Sequence, residues 1–336
     1  MLLSDLTIDK AGQMPSCDAY DCVIIGGGPA GMTAAIYTGR AKLKTLVLEE
    51  KAMGGELVVA DIVENYPGFP KGVTGADLTA AMEEQARSFG AEICEVGAKG
   101  IELDGSARIV HTTDDRTITA KAVIVAAGTE NVKLNVKGEK QFTGRGVSYC
   151  AQCDGAFFKD REIMVVGGGD TAIGDAIFLT RYAKRIYVVH RRDKLRAEKI
   201  LQERAFNAPS IEFIWDSVVT EIKGRKTVES VDIRNVKTGG TSSMNVAGVF
   251  IFIGTKPNTD FVKDTINLDE GGFIITDEAM ATNVPGVFAA GDIRAKTVKQ
   301  IATAVGDGAV AGFAVEKYIE ELELVNPDRK DVPVNR

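Results

Sequence analysis

An α/β fold with parallel central sheets follows from three features of the 336-residue sequence. Two apolar, β-branched runs each lead into a glycine cluster and then into a helical stretch. A further apolar run follows each helix at the same distance, and another such run returns late in the chain. Strand, glycine turn, helix and strand in that order describe two Rossmann-like dinucleotide-binding units with three layers each. At roughly 150 residues per domain, the length also calls for two domains.

The first unit opens on Asp21-Cys-Val-Ile-Ile, turns through Gly26-Gly-Gly28-Pro29-Ala30-Gly31, and passes a small-residue helix to Thr45-Leu-Val-Leu-Glu49. Glycines at this G-x-G-x-x-G spacing allow a tight turn, close approach of a pyrophosphate, and close packing of helix on strand. The helix start adds N–H groups and positive partial charge. An acid at the end of the second strand suits a pair of ribose hydroxyls, and Glu49 stands there.

The second unit repeats the pattern with Ile163-Met-Val-Val-Gly167-Gly-Gly169-Asp170-Thr171-Ala172 and the strand Arg185-Ile-Tyr-Val-Val-His190; alanine replaces the last glycine. Gly26 to Glu49 is 23 positions, as is Gly167 to His190, so the ribose-reading positions correspond. In the second unit that position is His190, followed by Arg191, Arg192 and, after three residues, Arg196. Guanidinium forks match a ribose 2′-phosphate, whereas an acid suits free hydroxyls. The second unit is therefore expected to take NADP(H). The first takes a dinucleotide without that phosphate, most simply FAD, with NAD not distinguished at this level.

Each unit closes on a similar strand, Val123 to Gly128-Thr129 and Val249 to Gly254-Thr255. The late run Val287-Phe-Ala-Ala-Gly291-Asp292 is expected to return the chain to the first sheet, making the first domain discontinuous. The expected boundaries are 17–130 with 256–325 for the first domain and 131–255 for the second. Residues 1–16 form an N-terminal extension and 326–336 a C-terminal tail. Pro257 and the charged stretch Val136-Lys-Gly-Glu139 are the expected crossings and candidate hinges.

Composition narrows the chemistry. Hydrophobic residues make up 45% and charged residues 26%, with a net charge of −7 and a mean hydropathy near zero. These values fit a globular chain and disfavour nucleic acid or an anionic membrane as partners. The first sixteen residues hold no apolar signal region and no apolar run is long enough to span a bilayer, so a cytoplasmic protein is expected. With only His111 and His190 and an odd five cysteines, neither a Ser-His-Asp triad nor a disulfide framework has its material.

Thiol chemistry remains. Tyr149-Cys150-Ala-Gln-Cys153-Asp154-Gly155 places two thiols where a disulfide closes with little movement, immediately before the strand of the second glycine turn. No second C-x-x-C or histidine cluster completes a zinc site, so no metal is expected. Asp154 is placed to carry the proton that thiol–disulfide exchange moves, or serves as a turn aspartate before glycine. Cys17, Cys22 and Cys94 have no local partner.

Taken together, GGGPAG (26–31), VENYPG (63–68), CAQCDG (150–155), GGGDTA (167–172), HRRDKLRAEKIL (190–201) and FAAGDI (288–293) resemble the low-molecular-weight thioredoxin reductases of bacteria and archaea. The resemblance covers most of residues 18–325 and belongs to the class II pyridine nucleotide-disulfide oxidoreductases. It implies a homodimeric flavoenzyme in which NADPH reduces FAD, FAD reduces the Cys150–Cys153 disulfide, and the dithiol reduces thioredoxin or a glutaredoxin-like protein. It further implies an NADPH domain that swivels between two orientations.

Position by position, the resemblance makes Cys153 the flavin-facing sulfur, Cys150 the attacking one and Asp154 the acid/base. Gly26, Gly28, Pro29, Ala30, Gly31, Glu49 and Glu50 correspond to the segments around FAD adenosine and pyrophosphate. Gly54, Gly55, Glu56, Leu57, Asn65 and Gly128 correspond to those near its ribityl chain and ring. Gly291 and Asp292 belong with the ribityl hydroxyls, and Lys299, Gln300 and Ile301 lie at the flavin end of the last helix, whose N–H groups favour charge on reduced flavin. Gly167, Gly169, Asp170, Thr171, Ala172, His190, Arg191, Arg192, Arg196 and Gly254 correspond to the NADPH site.

Several positions depart from that family's pattern: Gln152 where threonine is frequent, Glu56 for glutamine, Ala127 for threonine, Lys299 for arginine, and Gly174-Asp175 for a pair of glutamates. Glu56 is the departure expected to act on the flavin. A glutathione-reductase-like enzyme would carry its cysteines in the first domain and a catalytic histidine near its end, and this chain has no histidine after 190. The alternative retained is an FAD-dependent dithiol oxidase, or a reductase using another electron donor.

Overall fold

The computed structural model describes residues 18–325. The N-terminal extension, the C-terminal tail and Cys17 lie outside them. The described chain divides into two compact units: unit 1 holds the residues through Thr129 and from Pro257 onward, and unit 2 holds Glu130–Lys256.

Unit 1 begins with β1 (Ala19–Ile25), the glycine turn, α1 (Pro29–Arg40) and β2 (Thr45–Leu48). The two strands run parallel, with Cys22 opposite Thr45 and Ile25 opposite Leu48. Helix α2 (Gly75–Ser88) starts where the Thr74 hydroxyl accepts the Asp77 N–H at 3.0 Å, satisfying one of the donors a helix start leaves unpaired. After β3 (Glu92–Cys94), the strands β4 (Ala98–Asp104), β5 (Ala107–Thr112) and β6 (Thr117–Val125) form an antiparallel meander. Strand β6 joins this meander to the parallel part, because it also pairs parallel with β1 from Ala19↔Thr119 to Ile25↔Val125.

Alternation along these strands makes two cores. Cys22, Ile24, Val47 and Ile124 face helix α1, whereas Val23, Ile25, Leu46 and Val125 face the other layer. A β-strand repeats every two residues, so both faces of this buried sheet must be apolar and its strands read as continuous runs.

The chain leaves unit 1 through β7 (Thr129–Asn131). The charged stretch Val136–Glu139, expected at the crossing, belongs to unit 2 instead: Glu139 opens the short helix α3 (Glu139–Phe142) and is only 3% exposed. A run of charge at a turn reads as linker in sequence, and here its acid is internal.

Unit 2 continues through β8 (Val147–Ser148), α4 (Ala151–Asp154), β9 (Glu162–Gly167), α5 (Asp170–Leu179), β10 (Arg185–Val189), α6 (Lys199–Phe206) and β11 (Ile211–Ile214). An antiparallel layer of β12 (Ser217–Gly224), β13 (Val228–Asn235) and β14 (Thr241–Asn245) follows, and β15 (Gly248–Phe252) completes a parallel sheet ordered β11-β10-β9-β15-β8. One face of that sheet, with Ile163, Val165, Val188 and Phe250, packs on α5. The other, with Met164, Val166, Val189 and Ile251, packs on the antiparallel layer. Strand β8 precedes the cysteine pair, so the redox segment lies between two strands rather than ahead of the first. At two residues, β8 is too short for periodicity to reveal.

Strand β16 (Thr255–Pro257) pairs with β7, so both connections run side by side. The late run then supplies β17 (Val287–Ala289), which returns to the first sheet parallel to β6 with Val287 opposite Val123. The last helix, α7 (Ile301–Val325), lies against α1. Gly308 and Gly312 permit the close approach, since a Cβ at Gly308 would overlap the Ala30 carbonyl and one at Gly312 would stand 2.7 Å from the Tyr37 Cβ. No helix among the described residues is long and apolar enough to cross a membrane.

Candidate functional site

The first glycine turn has a cradle's geometry. Gly26 holds φ +111°, and a side chain there would strike the Ala126 carbonyl. A Cβ on Gly31 would overlap the Gly26 carbonyl oxygen, so helix and strand touch there. Gly28 is different: nothing lies within 4 Å of where its Cβ would be. Two glycines are therefore required by the fold, and the third leaves open space at the start of α1, where an anionic group is favoured. Pro29 occupies the first turn of α1, and Ala30 is buried beside Gly291.

Glu49 follows β2 and turns back on the cradle, one oxygen accepting the Gly27 N–H at 2.8 Å and the other the Lys51 N–H at 2.9 Å. A carboxylate has about four acceptor positions, so this arrangement fixes Glu49 while leaving capacity for ribose hydroxyls. Glu50 is exposed and packs toward Gly97. Gly54 and Gly55, both at positive φ, bring the next loop to the cradle: the Gly54 N–H donates to the Gly27 carbonyl at 2.9 Å. Glu56 is exposed at the start of the following 3-10 helix. The Leu57 side chain is 7% exposed and packs with Met32, Leu78 and Met82.

Across the same unit, the Asn65 amide donates to the Gln300 side chain at 3.1 Å, joining two segments 235 residues apart. The Gln300 N–H turns to Thr303 Oγ1 at 3.2 Å rather than outward, so of the two N–H groups expected at the flavin end, that one is engaged in its own helix. Gly128, at φ +61° beyond β6, has open space at its Cβ position.

Asp292 lies in the short turn Gly291–Ile293 after β17. Its Oδ1 is buried and has no hydrogen-bond partner, which normally costs about 1–3 kcal/mol. Burial pushes its carboxyl upward, and the ammonium groups of Lys296 and Lys299 oppose that rise. Lys299 clamps the turn by donating to the carbonyls of Asp292 (2.6 Å) and Arg294 (3.1 Å), with its ammonium 3.7 Å from the Phe273 ring centre. Burial lowers the Lys299 pKa. An open cradle, an acid at the end of β2 and a carboxylate oxygen with no hydrogen bond fit a flavin dinucleotide lying along one unit.

The second turn repeats the first. Gly167 holds φ +150°, where a Cβ would overlap the Phe252 carbonyl, and Gly169 opens onto free space. Ala172 is fully buried and stands where Gly31 stands in unit 1. Asp170 Oδ1 accepts the Glu198 N–H at 2.8 Å, and Thr171 is exposed. Gly254, beyond β15 at φ +129°, is the counterpart of Gly128.

At the ribose position the His190 ring packs beneath Gly168, with Nε2 3.1 Å from the Lys194 carbonyl. Burial first, and then the neighbouring guanidinium groups, lower its pKa, so the ring is neutral near pH 7. Arg191, Arg192, Lys194 and Arg196 line a depression of about 390 Å³. The acids there, Asp193 and Asp216, are both taken by Lys237 (3.2 and 3.0 Å). Among the described residues no carboxylate pairs with the three arginines, so their donors face solvent in a group suited to a phosphate.

Cys150 and Cys153 form a disulfide with Cα atoms 5.4 Å apart. Cys150 caps α4, and the Cys153 N–H points at its sulfur at 3.1 Å. Once the bond is reduced, that N–H favours the thiolate on Cys150. Asp154 lines a second depression of about 290 Å³ together with Arg145, Phe157 and Arg161, and Phe157 is 80% exposed. By contrast, Cys22 and Cys94 are buried and their pKa values are raised by burial, as befits inert thiols.

One support escaped the sequence. Buried Glu139 accepts the Leu134 N–H (2.8 Å), the Asn135 N–H (2.6 Å) and the Tyr149 hydroxyl (2.7 Å), bracing the residue before Cys150. The Ser148 hydroxyl accepts the Cys150 N–H and donates to its carbonyl, both at 3.0 Å. No local pattern marks Glu139, because its partners are chosen by the fold.

Comparison with known proteins agrees with this geometry. The family profile for pyridine nucleotide-disulphide oxidoreductases matches residues 20–308. A thioredoxin reductase of Listeria innocua is 51% identical over 305 residues, covering 90% of this chain and 95% of that protein. One from Bacillus subtilis is 47% identical over 305 residues, covering 90% and 96%. The crystal structure of Lactococcus lactis thioredoxin reductase superposes with a TM-score of 0.88 at 48% identity, covering 90% of this chain and 99% of that one. The chain belongs to the pyridine nucleotide-disulphide oxidoreductase family, in its thioredoxin reductase branch.

Proposed function

We propose that the chain reduces the disulfide of thioredoxin or a glutaredoxin-like protein, taking electrons from NADPH through FAD bound in unit 1. The observation that carries this reading is the Cys150–Cys153 disulfide in the same unit as the unpaired arginines beside His190. Bound FAD would supply two-electron exchange between a nicotinamide and a disulfide. Gly26, Gly28, Gly31 and Glu49 hold its pyrophosphate and adenosine half, with Asp292 on the ribityl chain. Gly167, Gly169 and Ala172 hold NADPH, and Arg191, Arg192 and Arg196 read its 2′-phosphate.

The protein side of the chemistry is thiol exchange. The Cys150 thiolate attacks one sulfur of the partner's disulfide, and the other sulfur leaves as a thiolate. The Asp154 carboxylate takes the Cys153 thiol proton and passes it to that leaving thiolate; the Cys153 thiolate then attacks Cys150 in the mixed disulfide, releasing the partner's second sulfur as a thiolate that takes a proton from solvent and restoring the Cys150–Cys153 bond. Exposed Phe157, beside Arg145 and Arg161, offers the partner an apolar contact next to the reacting sulfurs. A homodimer in the cytoplasm completes the reading; Tyr37 and Phe313, about half exposed on the surface shared by α1 and α7, are what a second copy would cover. Among donors, NADPH is favoured over the alternatives because the basic group has no acid of its own to neutralise it.

Anaerobic titration of the flavin-loaded protein tests the reading. NADPH should bleach the flavin band, and oxidised thioredoxin should restore it. With Cys150→Ser, bleaching should persist and protein disulfide turnover should vanish; retained turnover in that variant would remove the relay, and no bleaching in the wild type would remove NADPH as the donor.

A further inference from the structure

Asp307, on the second turn of α7, lies at the centre of a nearly buried charge group in unit 1. Its Oδ2 accepts the Gly291 N–H at 3.0 Å and the Lys296 ammonium at 2.9 Å, and its Oδ1 accepts Arg294 at 2.9 Å. The side chains of Asp307, Arg294 and Lys296 are 12–13% exposed. Arg294 is held further by Thr276 Oγ1 at 2.7 Å, and Lys296 by Thr303 Oγ1 at 3.3 Å. The Lys296 ammonium stops 3.5 Å from Asp292 Oδ1, in ion-pair range without a hydrogen bond, and that oxygen is the one left without a partner.

A lysine so close to a carboxylate with one buried oxygen would ordinarily close the gap, because a charged hydrogen bond is among the stronger ones in a protein interior. Asp307 and Thr303 hold it back. We propose that Asp307 is a positioning residue for the flavin: by engaging Lys296 it keeps the Asp292 carboxylate, whose side chain is 34% exposed, free of a lysine hydrogen bond and available to a hydroxyl donor on the ribityl chain. The inference rests on the reading of unit 1 as the FAD site. It assigns Lys296 the part of a competitor for Asp292, restrained by Asp307, rather than that of a cofactor ligand. Asp307 also tethers Gly291, whose φ of +82° sets the turn that presents Asp292.

The test is a double-mutant cycle on the flavin-free protein, read by quenching of FAD fluorescence on binding, with thermal unfolding of each apoprotein as the folding control. Asp307→Asn keeps an oxygen for the Gly291 N–H and removes the charge that holds Lys296. FAD should then bind about 10-fold or more weakly, the loss expected for one charged hydrogen bond. Adding Lys296→Met removes the competitor and should restore affinity to within roughly 3-fold of wild type, a coupling between contacting residues. Unchanged binding in Asp307→Asn, or a double variant as weak as the single one, would overturn the inference. Should Asp307→Asn not fold, Lys296→Met alone decides: wild-type affinity supports restraint of a competitor, and a loss of about 10-fold makes Lys296 a flavin contact and overturns it. Wild-type apoprotein that fails to take up FAD would overturn the cofactor reading itself, and the inference with it.

Discussion

At the end of β2 the carboxylate of Glu49 reaches back to the Gly27 N–H, whereas at the end of β10 the neutral ring of His190 lies beneath Gly168 and three unpaired arginines follow nearby. The backbones around the two side chains correspond: each has one glycine at positive φ against the neighbouring strand and one facing open space. In the proposed reading, selectivity between two dinucleotides is written in one position and the loop beyond it, while the glycine turn that both units share carries no charge at all.

The largest effect should come from the one glycine the two turns do not share. Gly31→Ala pushes a methyl group into the Gly26 carbonyl and should cost roughly 3 kcal/mol or more, seen as a lower melting temperature with loss of flavin. At the matching site, Ala172→Gly should cost only about 1 kcal/mol, the ordinary penalty of glycine in a helix. Equal melting shifts for the two variants would break the correspondence between the turns.

Next comes nucleotide choice. Arg191→Ala with Arg192→Ala should raise KM for NADPH by about 100-fold or more while sparing NADH, since charged hydrogen bonds to the 2′-phosphate are worth roughly 1.5–3 kcal/mol each. A parallel loss for both nucleotides would return the arginines to the role of a solvated basic face.

A smaller effect concerns pH. The folded pKa of His190 lies below its ordinary 6.5, so the unfolded chain binds the proton more readily. Its contribution to stability is present above pH 6.5 and is lost as pH falls through the lower folded value. Asp175, whose carboxyl burial raises to about 7, acts in the opposite sense, so the difference between wild type and His190→Asn is the quantity to follow. That difference in melting temperature should shrink below pH 6.5; a constant difference would refute the neutral ring.

The smallest effect belongs to Glu56, which is exposed and screened by water. Glu56→Gln should raise the flavin potential by no more than about 30 mV, equivalent to about 1.4 kcal/mol for two electrons. A redox titration that does not move would make this departure from the family pattern silent.

Both glycine turns, the strand-end positions of Glu49 and His190 and the cysteine pair were legible in sequence because each depends on residues close together in the chain. The return of Val287–Ala289 to the first sheet was legible from its likeness to the earlier closing strands. Glu139 and Asp307 were not. Each is an ordinary acid on a helix, and each gains its meaning from groups brought in by the fold: Tyr149 and the Leu134 amide for one, Lys296 and the Gly291 amide for the other.

The close seating of α7 on α1 bears on how the protein is made. Unit 2 is a single stretch of chain, complete once β15 has emerged from the ribosome, and it can fold while synthesis continues. Unit 1 starts first and finishes last. Until Val287–Ala289 and the helix from Ile301 are made, β6 lacks a neighbour and the apolar face of α1 stays wet, with Gly308 and Gly312 still to arrive. Nascent chains stalled before residue 287 should accordingly yield a protease-resistant fragment near Glu130–Lys256 while their first 129 residues are cleaved; protection of both regions in such chains would show that the last helix is not needed to close the first core.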